Sequence, residues 1–392
     1  MVLQSYPPVL GGAQRQVRQL APLLAERGIG VHVITRRVPG TPRHAEEPGA
    51  TVERLYVPGH GPSASAMFVA GATHRLLRLR PDVIHAFDLL SPSLAALLAS
   101  SVSGAPVVAK VLSTGSGGDL DRLGHKWFGP TRARVIARRF AAWHAVSAEV
   151  EAELCELGVD PARFARIANG VDCRHHRPPD GASRLAARRR LGIGPEEFVT
   201  LYCGRFAPVK RLDLLVAAMH HAPGILVLAG DGAEAPRLRE AAADSRVAGR
   251  IRFLPTVEDP AELYRVADVY ASSSGTEGMS NAVLEAMASG LPVVANRASG
   301  MGELLHGGVG LLVEAERPDE LGAALRRLAV DRALRRRLGG AARAAVVERH
   351  TLAAVADQLA ALYRRLALTR PHSPRIRHPG LREPRALWGE PS

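Results

Sequence analysis

The sequence predicts an α/β protein built of two doubly wound parallel sheets, one in each half of the chain. Three observations predict it. Short apolar runs of strand length alternate with helical patterns along both halves. A stretch rich in Pro, Gly and charge, HHRPPDGASRLAARRRLGIGP from His175 to Pro195, separates the halves. Hydrophobic residues make up 46% of the 392 residues but aromatics only 4%, a mix that suits helices on a parallel sheet better than a sandwich or barrel.

In the first half the strands are Val31–Thr35, Asp82–Ala86, Pro106–Leu112 and Trp143–Val146. The helix Ala13–Arg27 carries Val17, Leu20, Ala21 and Leu24 at helical spacing, and Gly28 stops it. Only Val2–Ser5 is available for a strand before Tyr6-Pro7-Pro8, so the first strand is either very short or begins upstream. The second half predicts strands at Val199–Cys203, Ile225–Ala229, Ile251–Leu254, Val269–Ser272, Pro292–Ala295 and Val309–Val313. The expected units are a first domain over 1–176, a linker over 177–195 and a second domain over 196–349. A helix over 350–366 is free to return to the first domain, and the Pro/Arg-rich residues 367–392 read as a disordered tail.

The formal net charge is +13, and Lys occurs only at 110, 126 and 210. Three readings of the Arg excess stand: the composition of a GC-rich genome, attraction to an anionic ligand or membrane surface, and nucleic-acid binding. No zinc-finger, RNP or helix-turn-helix signature supports the last, and nucleic acid is not an expected partner. Cys155, Cys173 and Cys203 are far apart, so neither a disulfide framework nor a zinc site is implied, and a reducing cytoplasm fits. The uncharged stretch Leu89–Ala109 contains Pro92, Gly104, Pro106 and five serines, and reads as helix, turn and strand rather than a membrane span. In Asp119–Trp143, Arg132, Arg134, Arg138 and Arg139 stand near Val135, Ile136, Phe140 and Trp143. That segment reads either as a solvated helix face or as a peripheral contact with an anionic bilayer.

Three motifs carry chemistry. Gly11-Gly12 opens the first helix, where a phosphate can approach the backbone and the helix N-terminus favours an anion; a tight turn needs the same residues. Cys203–Arg211 (CGRFAPVKR) follows the first strand of the second half, and Arg205 and Lys210 can reach the crevice at the strand ends as two cations suited to a diphosphate. The alternative there is a solvated basic loop. Glu277–Glu285 (EGMSNAVLE) leads from a strand into a helix. If helical throughout, its two carboxylates would be about 80° apart around the axis and roughly 12 Å along it. Such a pair can hold two ends of one elongated ligand and is poorly placed for a glycosidase pair, which needs about 5–9.5 Å. The alternative makes Ser280 or Asn281 a helix cap and Glu285 a surface charge.

The spacing Glu277-x7-Glu285 resembles the E-x7-E motif of retaining glycosyltransferases of family four, which have the GT-B fold of two Rossmann-like domains facing a cleft. Supporting matches are Gly11-Gly12, Val146-Ser147, Asn169-Gly170-Val171-Asp172, Gly204-Arg205 with Lys210, Gly230-Asp231-Gly232 and Gly308–Val313, spanning about residues 2–366. The resemblance implies an acceptor domain followed by a donor domain, and a UDP- or GDP-linked sugar as co-substrate, with no metal required. Arg205 and Lys210 would bind the donor diphosphate, and Glu285 the ribose. Glu277 with the backbone of Gly278, Met279, Ser280 and Asn281 would hold the sugar and phosphate, and Gly11 and Gly12 would approach from the facing domain. Members often show H-x-H at the fourth strand; here the stretch is His85-Ala86-Phe87-Asp88, so Phe87 takes the second position. His85 and Lys110 are the acceptor-side candidates, His85 reading equally as a buried strand-end histidine. The rival activities on the same architecture are a nucleotide-sugar epimerase and a sugar phosphorylase. A nicotinamide dehydrogenase lacks its G-x-G-x-x-G, and an inert sugar-binding or nucleic-acid-binding protein would not need all four charged residues. The acceptor, whether glycan, lipid-linked or small molecule, is not legible. The expected location is the cytoplasm, with the inner membrane face as a variant.

Overall fold

The computed structural model describes residues 1–9, 11–243, 246–297 and 300–369. The first half runs α1 (Gly12–Glu26), β1 (Val31–Arg36), β2 (His44–Glu47), β3 (Ala50–Leu55), α2 (Pro62–Leu79), β4 (Ile84–Phe87), α3 (Ser91–Ser103), β5 (Val107–Lys110), α4 (Asp119–Gly124), α5 (Gly129–Arg139), β6 (Ala142–Ala145), α6 (Ala148–Glu156) and β7 (Phe164–Arg166). Strands β4-β5-β6-β7 form one parallel sheet, and β1-β3-β2 another with β2 antiparallel at its edge. Val2 joins them, since it bridges Ile34 and Ala86 in parallel fashion. The backbone before α1 bonds to both sheets: Val2 N–H donates to His85 O at 2.9 Å and Leu3 N–H to Ile34 O at 3.0 Å.

The second half runs α7 (Gly181–Arg190), β8 (Val199–Cys203), α8 (Leu212–Ala218), β9 (Ile225–Ala229), α9 (Ala235–Ala242), β10 (Ile251–Leu254), α10 (Ala261–Val266), β11 (Val269–Ser272), α11 (Asn281–Ala288), β12 (Val293–Asn296), α12 (Met301–Leu304), β13 (Leu311–Val313), α13 (Pro318–Val330), α14 (Arg332–Arg349) and α15 (Leu352–Leu368). Its sheet order, β10-β9-β8-β11-β12-β13, is the 3-2-1-4-5-6 order of a Rossmann domain. The strand order reverses between β8 and β11, and ligands of such sheets bind beyond the strand C-termini at that point.

Several elements differ from the sequence reading. The stretch 177–195, read as a linker, contains α7, whose Arg188 is buried in the second domain. The Arg188 guanidinium donates to the carbonyls of Val266, Gly194, Pro195 and Glu197 and pairs with Asp268 at 2.7 Å, so one arginine of the run is part of the interior while Arg189 and Arg190 stay exposed. Strands β2, β3 and β7 lack the apolar signal. In β3 the charges of Glu53 and Arg54 are buried against Arg75 and Glu47.

Helix α15 returns to the first domain, where Leu359, Leu362 and Leu366 pack in one cluster with Val17, Leu20 and Leu24 of α1. The chain crosses between domains at two adjoining points, marked by the bridge Val171–Thr351. Among the described residues no helix is long and apolar enough to cross a membrane. The tail expected from 367 lies outside the described residues from 370 onward.

Candidate active site at the domain interface

The loop after β8 carries Arg205 and Lys210. It is braced by the loop after β9: Phe206 N–H donates to Asp231 O at 2.8 Å, and a Cβ on Gly230 would lie 2.0 Å from Gly204 O. Only glycine fits there, at φ 144°, so the Gly230-Asp231-Gly232 motif serves to stack two loops at the strand ends. Arg205 is exposed on this loop. Lys210 Nζ lies 2.5 Å from Glu277 Oε1, with the two side chains 20% and 17% exposed.

Glu277 stands in the loop between β11 and α11, before the helix, so the eight-residue interval to Glu285 is part loop and part helix. The loop presses against the first domain. A Cβ on Gly278 would sit 2.6 Å from Leu112 O. Asn169 grips Met279 twice, its amide N–H to the sulfur at 3.3 Å and its side-chain Nδ2 to the carbonyl at 3.0 Å. Ser280 is the residue before α11, yet its hydroxyl makes no capping bond. Asn281 Nδ2 instead donates across the cleft to Gly12 O at 3.0 Å.

Glu285 is not a surface charge. It is 4% exposed, and its two oxygens have different partners. Tyr264 OH donates to Oε2 at 2.8 Å, and Arg15 Nη1, from α1 of the first domain, lies 2.7 Å from Oε1. Burial first, and the Glu285 charge second, hold the Tyr264 phenol well above its usual range, so it stays a donor. Arg15 and Tyr264 escape sequence reasoning, and Asn169 enters it only within the Asn169-Gly170-Val171-Asp172 match, with no role assigned. Arg15 leaves a faint local signal, a cation near a helix N-terminus, where the macrodipole disfavours it.

The acceptor-side candidates lie elsewhere. His85 is buried, and its Nδ1 is 2.6 Å from Tyr363 OH of α15. Burial, then the nearby Lys110, depress its pKa well below the usual value, so it is a neutral interior histidine. Lys110 Nζ is also buried and donates to Asn169 Oδ1 at 2.8 Å. Burial lowers its pKa to about 7. His85 is covered by Tyr363 of α15, whereas Lys110 is buried one hydrogen bond behind the interdomain contact of Asn169 with Met279. Lys110 orients Asn169, which in turn holds the Met279 segment.

A Rossmann-ordered sheet that presents a carboxylate–cation loop toward a second doubly wound domain is the GT-B arrangement. The comparisons agree. Residues 183–345 match the family described as glycosyl transferases group 1, and residues 10–175 match glycosyltransferase family 4. The D-inositol 3-phosphate glycosyltransferase of Geodermatophilus obscurus is 33% identical over 361 residues, covering 83% of this chain and 79% of that one. The protein of the same name from Streptomyces bingchenggensis is 31% identical, with 85% and 80% covered. Sucrose-phosphate synthase from Thermosynechococcus elongatus superposes with a TM-score of 0.81 at 26% identity, over 93% of this chain and 95% of that one. Anabaena HepE in complex with UDP-glucose shares the fold, with a TM-score of 0.77 at 21% identity over 93% and 98% of the two chains. This chain belongs to the family 4 glycosyltransferases, and it is an enzyme of that type.

Proposed function

We propose that the enzyme transfers a sugar from a UDP- or GDP-linked donor to a hydroxyl acceptor, with retention of anomeric configuration and without a metal. The observation that carries this reading is the placement of Glu277 and Glu285 on one loop–helix unit at the switch point, each already holding a cation. Glu285 would take the ribose hydroxyls, and Glu277 the hydroxyls of the transferred sugar. Arg205, Lys210 and the backbone N–H groups at the start of α11 would face the diphosphate, with Gly11-Gly12 opposite. As the bond from the sugar C1 to the diphosphate oxygen breaks, charge grows on the diphosphate, and these preorganised donors stabilise it. Retention follows if the acceptor oxygen attacks C1 on the same face, where the departing phosphate oxygen can take its proton. Closure of the two domains would exclude water that hydrolyses the donor.

The relatives named for D-inositol 3-phosphate make a phosphorylated polyol the first acceptor to test. A lipid-linked acceptor has separate support. Ile136, Phe140 and Trp143 are core residues and cannot meet a bilayer. Trp127 and Phe128, between α4 and α5, are instead 87% and 65% exposed and stacked at 5.2 Å, directly after the exposed Lys126 in the chain. An exposed aromatic pair next to a lysine fits the interface of an anionic membrane.

Thermal unfolding with a panel of nucleotides and nucleotide sugars tests the donor, since a ligand that binds the folded state raises the midpoint. Glu285→Ala should weaken binding of the nucleoside diphosphate itself, and Glu277→Ala should mainly reduce transfer. Equal affinity for free nucleotide in wild type and Glu285→Ala, by calorimetry, would reject the ribose assignment.

A further inference from the structure

Arg15 is a third cation at the donor site, and it comes from the other domain. It follows Gly11-Gly12 by one turn of α1, and both its terminal nitrogens are engaged across the cleft. Nη1 lies 2.7 Å from Glu285 Oε1, and Nη2 donates to the backbone carbonyl of Glu258 at 2.9 Å. The arginine side chain is 28% exposed and the glutamate side chain 6%. Two neighbouring contacts accompany it: Asn281 Nδ2 to Gly12 O at 3.0 Å, and Arg18 Nη1 to Glu258 Oε1 at 3.2 Å on the exposed rim. Of these, the Arg15 bond alone engages the carboxylate that the proposed function gives to the donor ribose.

The geometry sets up a competition. Tyr264 holds one oxygen of Glu285 from within the donor domain, and Arg15 holds the other from the facing domain. A carboxylate can accept about four hydrogen bonds, but the guanidinium is planar and fixed at both ends, so it covers the approach to Oε1. A ribose diol donating to Glu285 meets that guanidinium first. With both terminal nitrogens bound to Glu285 and Glu258, Arg15 is also not available to the diphosphate while the contact holds. We propose that Arg15 sets donor affinity by competing with the donor ribose for Glu285, so that nucleotide entry exchanges an interdomain ion pair for ribose hydrogen bonds. This rests on the reading of Glu285 as the ribose carboxylate.

The test is calorimetric titration of UDP and GDP into wild type, Arg15→Ala, Glu285→Ala and the double variant. Arg15→Ala should bind the preferred nucleotide roughly three- to tenfold more tightly, the range expected for removing a partly exposed competing ion pair. The gain should vanish in the Glu285→Ala background, a signature that a general loosening of the cleft would not produce. Arg18→Ala, which removes a neighbouring interdomain pair without touching Glu285, should leave affinity unchanged. Arg15→Gln, of similar length but uncharged, should reproduce the alanine result and serves if the alanine variant misfolds. Unchanged or weaker nucleotide binding by both Arg15 variants overturns the competition. If Glu285→Ala itself binds nucleotide as well as wild type, the ribose assignment falls and the competition with it. If Glu285→Ala weakens binding but the Arg15 variants change nothing, only the competition falls.

Discussion

Replacing Lys210 by Ala probes the electrostatic centre of the proposed reaction. Lys210 Nζ is fixed 2.5 Å from Glu277 Oε1 on the loop beyond β8, in a site where both side chains are mostly buried. Two unit charges about 4 Å apart interact by about 1 kcal/mol in water and about 4 kcal/mol at an effective dielectric near 20. The ammonium stands between these limits. It is partly solvated, and Glu277 opposes part of its field, so a growing diphosphate charge would gain about 3 kcal/mol from it. That corresponds to roughly a hundredfold in rate. The loss should appear in turnover at saturating donor as well as in donor affinity, because the charge grows as the bond breaks. Arg205→Ala should act in the same direction. Lys210→Arg should recover only part of the rate, since a planar guanidinium does not replace a compact ammonium against Glu277. The Lys210→Ala/Glu277→Ala pair should cost less than the sum of the single variants, because each single variant also strands its partner. The assay is steady-state transfer with whichever donor the wild type uses, with folding checked by circular dichroism. If Lys210→Ala and Arg205→Ala both fold normally and keep wild-type turnover, the diphosphate assignment is wrong.

Three further outcomes follow from burial and exposure. Asp88 is buried and accepts from Leu90 N–H at 2.8 Å, and burial raises its carboxyl pKa to about 8. The folded value lies above the unfolded one, so its contribution to stability is intact below about pH 4 and is lost as pH rises through about 8, by up to ~1.4 kcal/mol per pH unit. Asp88→Asn keeps the acceptor without the charge, and its gain in urea stability should be larger near pH 9 than near pH 5; equal gains would refute this. Arg188→Ala should lose on the order of 3 kcal/mol, because it takes a buried donor from four carbonyls and leaves Asp268 with Arg184, Arg335 and Val199 N–H as its remaining partners. A denaturation midpoint close to wild type would show that α7 is dispensable to the second domain. Vesicles of anionic lipid should sediment the protein at low salt and release it as salt rises, with Trp127→Ala/Phe128→Ala binding less; no binding at low salt removes the membrane reading.

The second sheet is legible in the sequence because each of its strands is a short apolar run bounded by turn residues, and burial on both faces demands such runs. Strands β2 and β3 are not legible, because their charged residues are satisfied by partners that only the fold supplies. The same division runs through the site. Glu277, Glu285, Arg205 and Lys210 can be read because they cluster in two short segments at strand ends. Arg15 cannot, because its partner Glu285 is 270 residues away and in the other domain. The surroundings of His85 are not legible for a related reason. Its strand-end position suggests a cleft wall, but Tyr363, from a helix almost at the end of the described chain, closes over it. The two motif glutamates therefore carry different information. Glu277 is paired within its own domain by Lys210, while the two residues after it touch Leu112 and Asn169 of the first domain. Glu285 is paired across the cleft by Arg15, so domain opening would act on the same carboxylate that is proposed to take the donor ribose. A motif legible as two acids on one loop–helix unit is, in the folded chain, one acid bonded to Lys210 of its own domain and one bonded across the cleft.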